Sequence, residues 1–213
     1  MKKANAFFIL LLILCFLISC NVSVNKSIEI RDGEKVSRSL NTVNGNISIG
    51  NSCEVLGDCR TVNGRISVGK NSRVTDLKTV NGSMDINENV HVEGSLESVN
   101  GDISCLNNVI INRGIGTING KIELQETTVR KDISTFNGDI VLKESSVVNG
   151  DIIVKKPTGS SDNKRQLEIR VSNGSIVNGD IKVDSNDIVV KVYLETGGEV
   201  NGRIENALVV DSI

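Results

Sequence analysis

Few residues of this sequence have the types and spacing that catalysis requires. Its single histidine, His91, lies between Val90 and Val92, so in an alternating strand we expect its side chain to point away from the core. One histidine cannot supply both a general base and an oriented nucleophile with any specificity. The pattern therefore favours a surface histidine over a catalytic one.

Aspartates offer a second route to catalysis. Asp102, Asp139, Asp151 and Asp180 each follow the glycine of an Asn-Gly pair, and in a stacked row they would provide the paired carboxylates of polysaccharide-cleaving enzymes. Other repeats hold asparagine, arginine, serine or lysine at this position, which is typical of a solvated face. Only two aromatic residues follow residue 20, so stacking platforms for sugars are scarce. We therefore expect no enzyme and no cofactor, with polysaccharide cleavage as a minor alternative.

The first twenty residues have the layout of an export signal. Lys2 and Lys3 precede an apolar run from Ala6 to Ile18, which is shorter than the roughly 20 residues of a membrane-spanning helix. No stop-transfer pattern follows this run. A spanning anchor is therefore the weaker interpretation.

The stretch from Leu17 to Cys20 (LISC) resembles the bacterial lipobox. The resemblance implies that residues 1–19 are a lipoprotein signal peptide, that Cys20 carries palmitate-type acyl chains, and that residues 20–22 form a lipidated N-terminus. Several acyl chains hold a protein stably on a bilayer. Asn21 replaces the aspartate that retains enterobacterial lipoproteins at the inner membrane, which favours the outer membrane of the cell envelope. An ordinary secretory leader with an incidental cysteine is the alternative.

The charge balance of the exported part is mildly acidic. Of the 24 basic side chains two leave with the leader, so 22 face 26 acidic ones and the net charge changes from −2 to −4. Such a balance does not steer the protein toward nucleic acid. The membrane, through the lipid anchor, is the first partner that we expect.

Three cysteines remain after the leader and Cys20. Cys53 and Cys59 lie in one repeat, and export to an oxidising compartment predicts a disulfide between them, which would contribute about 2 kcal/mol. Two small core residues are the alternative. Cys105 takes an aliphatic position, so we expect a buried thiol. No histidine lies at a useful spacing, so we predict no metal site.

Asn-Gly pairs recur with a nearly constant period. The steps between the first six are 19, 18, 19, 19 and 18 residues, and a fixed period of this size is the signature of a repeat architecture. Asn25 lies one period earlier, with Lys26 in place of glycine. The six pairs are Asn44 and Gly45, Asn63 and Gly64, Asn81 and Gly82, Asn100 and Gly101, Asn119 and Gly120, and Asn137 and Gly138.

Apolar columns within each repeat predict the strands. Two and four residues after the glycine come apolar side chains such as Ile66 and Val68, with a polar residue between them, which is the alternation of a half-buried strand. We assign the column two residues before the glycine, Val62 in this repeat, to the same buried strand. Two further apolar columns complete each unit and imply two more strands.

Three short strands per unit predict a triangular coil. The expected fold is an all-β, single-stranded parallel β-helix (β-solenoid) with coils of about 18–19 residues, covering residues 23–213. Coils stack at about 4.8 Å, so roughly nine would form a rod near 40 Å long. An antiparallel meander is the alternative, because Asn-Gly is also a hairpin signal.

The recurring pair suggests a backbone role and a side-chain role. Asparagine and glycine tolerate positive φ, which we expect the corner of each coil to require. Stacked asparagines are expected to form a hydrogen-bonded ladder. A threonine or serine one position before the valine column, Thr61 in one repeat, suggests a second ladder.

The period breaks after Asn137. The next pairs begin at Asn149, Asn178 and Asn201, and their register stays open at this point. Residues 155–165 contain the only proline and a cluster of turn-forming residues, so we expect an inserted loop there.

Repeats such as residues 61–68 (TVNGRISV) resemble the coils of bactofilins, the polymer-forming bacterial β-helices, and of adhesin-like β-helical envelope proteins. The resemblance covers about residues 23–154 and implies a β-helix that self-associates end to end. Bactofilins are typically cytoplasmic, whereas this chain carries an export signal and a lipobox. That difference argues against a cytoskeletal role.

Two non-enzymatic roles remain for a cell-envelope lipoprotein of this kind. The first is a structural scaffold or self-assembling solenoid, and the second is an adhesin-like module that binds a glycan or an envelope protein. The last residues, Val209 to Ile213, do not form a strong polar cap. We favour the scaffold because open solenoid ends promote assembly.

Overall fold

The computed structural model describes residues 22–156, 165–184 and 188–211. These ranges contain 29 β-strands and no helix, so no helix within them is long and apolar enough to cross a membrane. The first ten strands are β1 (Val22–Ser23), β2 (Ile28–Ile30), β3 (Lys35–Val36), β4 (Leu40–Thr42), β5 (Ile47–Ile49), β6 (Glu54–Val55), β7 (Cys59–Asn63), β8 (Ile66–Val68), β9 (Arg73–Val74) and β10 (Leu77–Asn81). The next ten are β11 (Met84–Ile86), β12 (His91–Val92), β13 (Leu96–Asn100), β14 (Ile103–Cys105), β15 (Val109–Ile111), β16 (Ile115–Asn119), β17 (Ile122–Gln125), β18 (Thr127–Val129), β19 (Ile133–Thr135) and β20 (Ile140–Lys143). The last nine are β21 (Val147–Val148), β22 (Ile152–Val154), β23 (Arg165–Ser172), β24 (Ile176–Val177), β25 (Ile181–Val183), β26 (Ile188–Glu195), β27 (Glu199–Val200), β28 (Ile204–Glu205) and β29 (Leu208–Asp211).

The strands form three parallel sheets, which we call faces A, B and C. Face A contains every third strand from β1 to β28, face B every third strand from β2 to β29, and face C every third strand from β3 to β27. The chain therefore passes through faces A, B and C in each coil, and coil 1 contains β1, β2 and β3. Nine coils have all three strands and coil 10 has β28 and β29. Neighbouring strands are parallel, so the predicted β-solenoid is confirmed and the alternative of an antiparallel meander is wrong.

Inward-facing side chains form one continuous aliphatic core. On face B, Ile47 pairs with Ile66 and Ile49 with Val68, and all four are buried, as is Leu77 on face A. Burial of one such side chain stabilises the fold by roughly 1.5–3 kcal/mol. Since each coil is too thin to bury these residues alone, stacking of the coils supplies the core.

The valine column before each Asn-Gly pair lies outside this core. In β7 the inward residues are Cys59 and Thr61, while Val62 is half-buried on the outer side. Val80 and Val99 are shielded but do not belong to the core cluster. The expectation that this column lines the interior was wrong, because strand alternation places it opposite to the buried threonine.

The corner between faces B and C requires left-handed backbone. Ser52, Asn71, Asn89 and Asn108 each lie after a face B strand and have φ between 56° and 59°. Asparagine adopts this conformation more readily than most residues because its short polar side chain hydrogen-bonds locally. These residues end the face B strands and turn the chain toward face C.

The strands of face B lengthen in coils 8 and 9. β23 and β26 contain eight residues each, whereas β5, β8, β11 and β14 contain three. Ile140 pairs with Ile169, and Ile169 pairs with Val192. The sequence period therefore breaks while the stacking of coils continues, and this register resolves the point that the sequence left open.

Two sequence predictions fall outside the described residues. Residues 1–21 include the predicted signal peptide and Cys20, and residues 157–164 make up most of the predicted 155–165 insertion. Both stay predictions from the sequence.

Candidate functional site

Asparagines form a hydrogen-bonded ladder along the corner between faces A and B. Each Nδ2 donates to the Oδ1 of the asparagine one coil earlier, over 2.6–3.2 Å. Interior members both donate and accept, so the ladder runs in one direction along the rod. Its members are Asn25, Asn44, Asn63, Asn81, Asn100, Asn119 and Asn137.

The glycine after each asparagine is required by the coil beneath it. A Cβ on Gly64 would lie 2.0 Å from the carbonyl oxygen of Gly45, and a Cβ on Gly101 would lie 1.9 Å from that of Gly82. No side chain fits at such distances. The ladder glycines do not have positive φ, so the expectation that they supply left-handed backbone was wrong. Glycine recurs here because successive backbones come into contact.

Buried threonines bind the same glycine carbonyls. Thr61 Oγ1 donates to the Gly45 oxygen over 2.9 Å, and Thr79 Oγ1 donates to the Gly64 oxygen over 3.1 Å. The threonine and serine column is stacked in register, with Thr61 beside Thr79 and Thr79 beside Ser98, but its bonds run to carbonyl oxygens. The hydroxyls of Thr61 and Thr79 satisfy backbone acceptors of the previous coil, which would otherwise lose free energy on burial.

A second asparagine ladder lies on a different corner. Asn178 donates to Asn149 and Asn201 donates to Asn178, both over 2.9 Å. These residues follow face C strands, so this ladder occupies the corner between faces C and A. A Cβ on Gly202 would lie 2.3 Å from the Gly179 oxygen, which repeats the close packing of the first ladder.

The four aspartates considered for catalysis are divided between two corners. Asp102 and Asp139 lie between faces A and B, whereas Asp151 and Asp180 lie between faces C and A. They therefore do not form one carboxylate row. Each accepts a backbone N–H from the following coil, as when Lys121 donates to Asp102 Oδ1 over 2.7 Å.

Lys182 connects two of these aspartates. Its Nζ lies 2.7 Å from Asp151 Oδ2 and 3.0 Å from Asp180 Oδ2. The hydrogen bond from Lys182 lowers the pKa of Asp151, and the Arg203 N–H together with Lys182 lowers the pKa of Asp180. The same two carboxylates raise the pKa of Lys182. A general acid needs a raised carboxyl pKa, so this arrangement is suited to joining coils.

The three cysteines are free, buried thiols. The predicted disulfide between Cys53 and Cys59 is absent, because the two side chains occupy different positions of the coil. Cys53 precedes β6 and its Sγ lies 3.0 Å from the Arg31 oxygen, while Cys59 begins β7 on face A. Burial, with a contribution from Asp58, raises the pKa of Cys59 to about 12, and burial raises the pKa of Cys105. The thiols act as small apolar core residues.

His91 lies on the outer side of β12, between the buried Val90 and Val92. Its Nε2 is 3.6 Å from Glu93 Oε1. Within the described ranges, no group of three or more histidine, cysteine, aspartate or glutamate side chains is arranged to hold a metal ion.

The two aromatic side chains of the described residues lie under cations. The Arg170 guanidinium is 4.2 Å from the ring centre of Tyr193, and Lys155 Nζ is 5.9 Å from that of Phe136. These contacts occupy ring faces on which a sugar would stack.

Sequence reasoning missed the left-handed column between faces B and C. Ser52, Asn71, Asn89 and Asn108 recur with the same step as the Asn-Gly pairs. Their regular spacing was a signal in the sequence. Because the Asn-Gly pattern is more conspicuous, positive φ was predicted at the A/B corner and not at the B/C corner.

Comparison of the chain with protein-family models, with curated proteins and with solved structures found no match in any of the three. The resemblance to bactofilin and adhesin coils therefore stays a prediction.

Proposed function

We propose that this protein is a non-enzymatic lipoprotein of the cell envelope, anchored through Cys20 to the outer membrane, whose rigid solenoid is a structural scaffold that self-associates through its ends. The lipobox and Asn21 support the location. One observation carries the scaffold role: the terminal coils leave apolar core residues uncovered.

The C-terminal end shows this most clearly. Val209 of β29 pairs with Val192 and is 47% exposed, whereas Val192 is fully buried. On face A, Ile204 is partly exposed above the fully buried Ile181. Leu208 adds an apolar side chain that is 58% exposed. Monomeric proteins seldom leave apolar surface and unpaired strand edges together.

The first coil has the same character to a lesser degree. Ile28 and Val36 are partly exposed, while Ile47 and Val55 in coil 2 are fully buried. Val24, between β1 and β2, is 61% exposed. Both ends of the described solenoid therefore offer surfaces that a further coil would cover.

The ladders make the rod suitable for a mechanical role. Neighbouring coils are joined by parallel strands and by asparagine side chains at a corner, and several are joined by aspartate caps as well. Ten coils at about 4.8 Å give a rod of roughly 45–50 Å. Such a rod resists bending because every joint is made at several points around its axis.

The electrostatics support a non-enzymatic role. The pKa of Glu93 is lowered by Arg73 and that of Glu123 by Lys121 and Lys143, and Asp151 behaves in the same way. Each of these carboxylates is therefore stabilised in its charged form, which is opposite to what a catalytic acid needs.

An adhesin-like role is the second candidate, and one feature favours it. The outward column of face C is largely apolar from coil 5 to coil 8, where Ile110, Thr128, Val147 and Ile176 pair in succession. All four are half-buried. An envelope protein with an apolar strip would find a complementary surface there.

Light scattering of the full chain in detergent tests the scaffold role. We expect the molar mass to exceed that of one mature chain, residues 20–213 with its acyl chains, and to rise with concentration. Val209→Lys should abolish this association by placing a charge at the open core, whereas Thr128→Lys on the flank should leave it intact. A protein that is monomeric at every concentration would exclude the scaffold role. Loss of binding to an envelope protein in Thr128→Lys would favour the adhesin-like role.

Metabolic labelling with palmitate tests the anchor. We expect label in the wild-type chain and none in Cys20→Ser. Label retained by the Cys20→Ser variant would contradict the assignment of Cys20.

A further inference from the structure

Asn-Gly is a chemically labile pair in water. The backbone nitrogen of the glycine can attack the side-chain amide carbon of the asparagine, because glycine has no Cβ to hinder the approach. The nitrogen loses its proton, the new C–N bond closes a succinimide ring, and the side-chain nitrogen leaves as ammonia. Water then opens the ring to aspartate or isoaspartate. The sequence contains ten such pairs, and the fold decides which of them can react.

Nine of the ten pairs lie in the two ladders, where hydrogen bonds hold the asparagine side chain. Asn100, an interior member, donates a bond to Asn81 and accepts one from Asn119. Ring closure makes the amide carbon tetrahedral and removes Nδ2, so the donated bond is lost and the accepted bond is displaced. Both ladder bonds therefore oppose the reaction.

The ladder glycines restrain the attacking nitrogen as well. A Cβ on Gly101 would lie 1.9 Å from the Gly82 oxygen, so the coil beneath leaves no room for the pair to bend. The Gly101 N–H donates to the Asn119 oxygen over 3.0 Å, and the Gly82 N–H donates to the Asn100 oxygen over 3.1 Å. A nitrogen in such a bond must leave its acceptor before it can attack.

Asn173 and Gly174 form the pair that belongs to neither ladder. They follow β23 at the corner between faces B and C, with φ of 52° and 72°, and both are exposed. The Asn173 side chain makes no hydrogen bond to any residue that the structure describes. A Cβ on Gly174 would meet only Ser145 Oγ at 3.5 Å, so this backbone has room to bend. The Gly174 N–H donates over 3.1 Å to the oxygen of Thr196, which lies in another exposed turn.

We propose that Asn173 is the site at which the folded protein deamidates, and that the two ladders keep the other nine pairs intact. The modification consumes one water, releases ammonia and leaves a carboxylate on an aspartate or isoaspartate at position 173. Pairs at the ladder ends, whose asparagines make one ladder bond and not two, react at intermediate rates. These asparagines are Asn137, Asn149 and Asn201.

Peptide mapping of the full chain tests the assignment. The protein is incubated in detergent in a mildly alkaline buffer, where the glycine nitrogen loses its proton more readily, and aspartate and isoaspartate are quantified at each pair by mass spectrometry. The same incubation in urea gives the rate of each pair in the unfolded chain. Dividing the unfolded rate by the folded rate gives the protection of each pair. This ratio removes the effect of the preceding residue, which is Ser172 at Asn173 and a bulky apolar residue at the ladder pairs.

We expect the smallest protection at Asn173. Protection at interior members such as Asn100 should be larger by about tenfold or more, because two side-chain hydrogen bonds oppose the reaction there. The three ladder ends should lie between these limits. Equal protection at all ten pairs, or protection at Asn173 as large as that at Asn100, would overturn the proposal.

Asn119→Ala removes ladder bonds and leaves the other nine pairs in the sequence. In this variant Asn137 loses the one ladder bond of its side chain, and Asn100 loses the bond that it accepts. Deamidation at Asn137 should become about fivefold faster, whereas the rates at Asn44 and Asn173 should stay the same. An unchanged rate at Asn137, or an equal increase at Asn44, would contradict protection by the ladder.

Discussion

From Val22 to Val148 the Asn-Gly pairs of the ladders occupy the corner between faces A and B, whereas from Asn149 onward they occupy the corner between faces C and A. In the first region the strands of face B have three or four residues and the coils repeat every 18 or 19 residues. In the second region β23 and β26 have eight residues, and the ladder steps become 29 and 23 residues.

The difference shows that an Asn-Gly pair is a corner unit that is independent of the face it follows. In both regions the asparagine donates to the asparagine one coil earlier, and the glycine lies against a backbone carbonyl. In the second region the Asn-Gly pairs of the ladder follow face C strands, so their ladder lies at the C/A corner. Close approach of consecutive backbones is the common requirement.

Alanine at the ladder glycines should give the largest effect. Gly101→Ala places a methyl group 1.9 Å from the Gly82 oxygen, and Gly179→Ala places one 2.4 Å from the Gly150 oxygen. The coils must separate locally, so we expect each to lower the free energy of unfolding by about 3 kcal/mol. Urea unfolding measures this, and a strong effect at only one corner would break the equivalence of the two regions.

Gly116 is the matched control. It lies within β16, its added Cβ would meet only Ser134 Oγ at 3.5 Å, and its φ is not positive. Gly116→Ala should therefore be neutral or stabilise the protein by up to about 1 kcal/mol. Destabilisation as large as that of Gly101→Ala would show that the ladder contact is not the cause.

Threonine to valine substitutions test the hydroxyl bonds within the first region. Thr61→Val removes the bond to the Gly45 oxygen and should cost about 1–2 kcal/mol, because the buried carbonyl loses its partner. Thr117 Oγ1 is buried without a hydrogen-bond partner, so Thr117→Val should be neutral or stabilising. Equal losses in chemical denaturation of the two variants would refute the role of the hydroxyl.

Asparagine to alanine substitutions compare the two ladders directly. Asn100 and Asn178 each donate one ladder bond and accept another, so each variant should lose about 1 kcal/mol. Asn137 donates one bond and ends its ladder, so Asn137→Ala should cost less. If Asn178→Ala left the free energy of unfolding unchanged while Asn100→Ala lowered it, the hydrogen bonds of the second ladder would not contribute to stability.

Lys182→Met should give the smallest effect. Lys182 lowers the pKa of Asp151 and contributes to the low pKa of Asp180, so both pKa values should rise in the variant. A lowered folded pKa contributes stability that is present above the unfolded value and is lost as pH falls through the folded value. The wild type should therefore keep this contribution to lower pH than the variant, and NMR titration of the two carboxylates measures the shift. Unchanged titration would show that backbone N–H groups alone set these pKa values.

The regular region was largely predictable, and the reasons are local. Alternation around Ile66 and Val68 identifies a strand without tertiary information, and the fixed period of Asn63 and Asn81 indicates stacked coils. The outer position of Val62 was not predictable, because an apolar residue beside the corner has the same sequence appearance as a core residue. Its orientation depends on where the strand ends.

Whether the candidate site residues come together could not be predicted from the sequence, because it depends on the corner or face that each residue occupies. Cys53 and Cys59 are close in sequence, yet a face C strand and a corner separate them. Asp102 and Asp151 share the same sequence motif, yet they lie on different corners because the period changes between them.

The sequence by itself determined the strand content, the repeat and the triangular coil, because each follows from composition or from spacing along the chain. Only the tertiary structure decided which corner each Asn-Gly pair occupies, why the glycine is needed and which core residues are exposed at the ends. These properties arise from contacts between residues one coil apart. The same Asn-Gly motif therefore occupies the A/B corner in one region and the C/A corner in the other, depending on the coil on which it stacks.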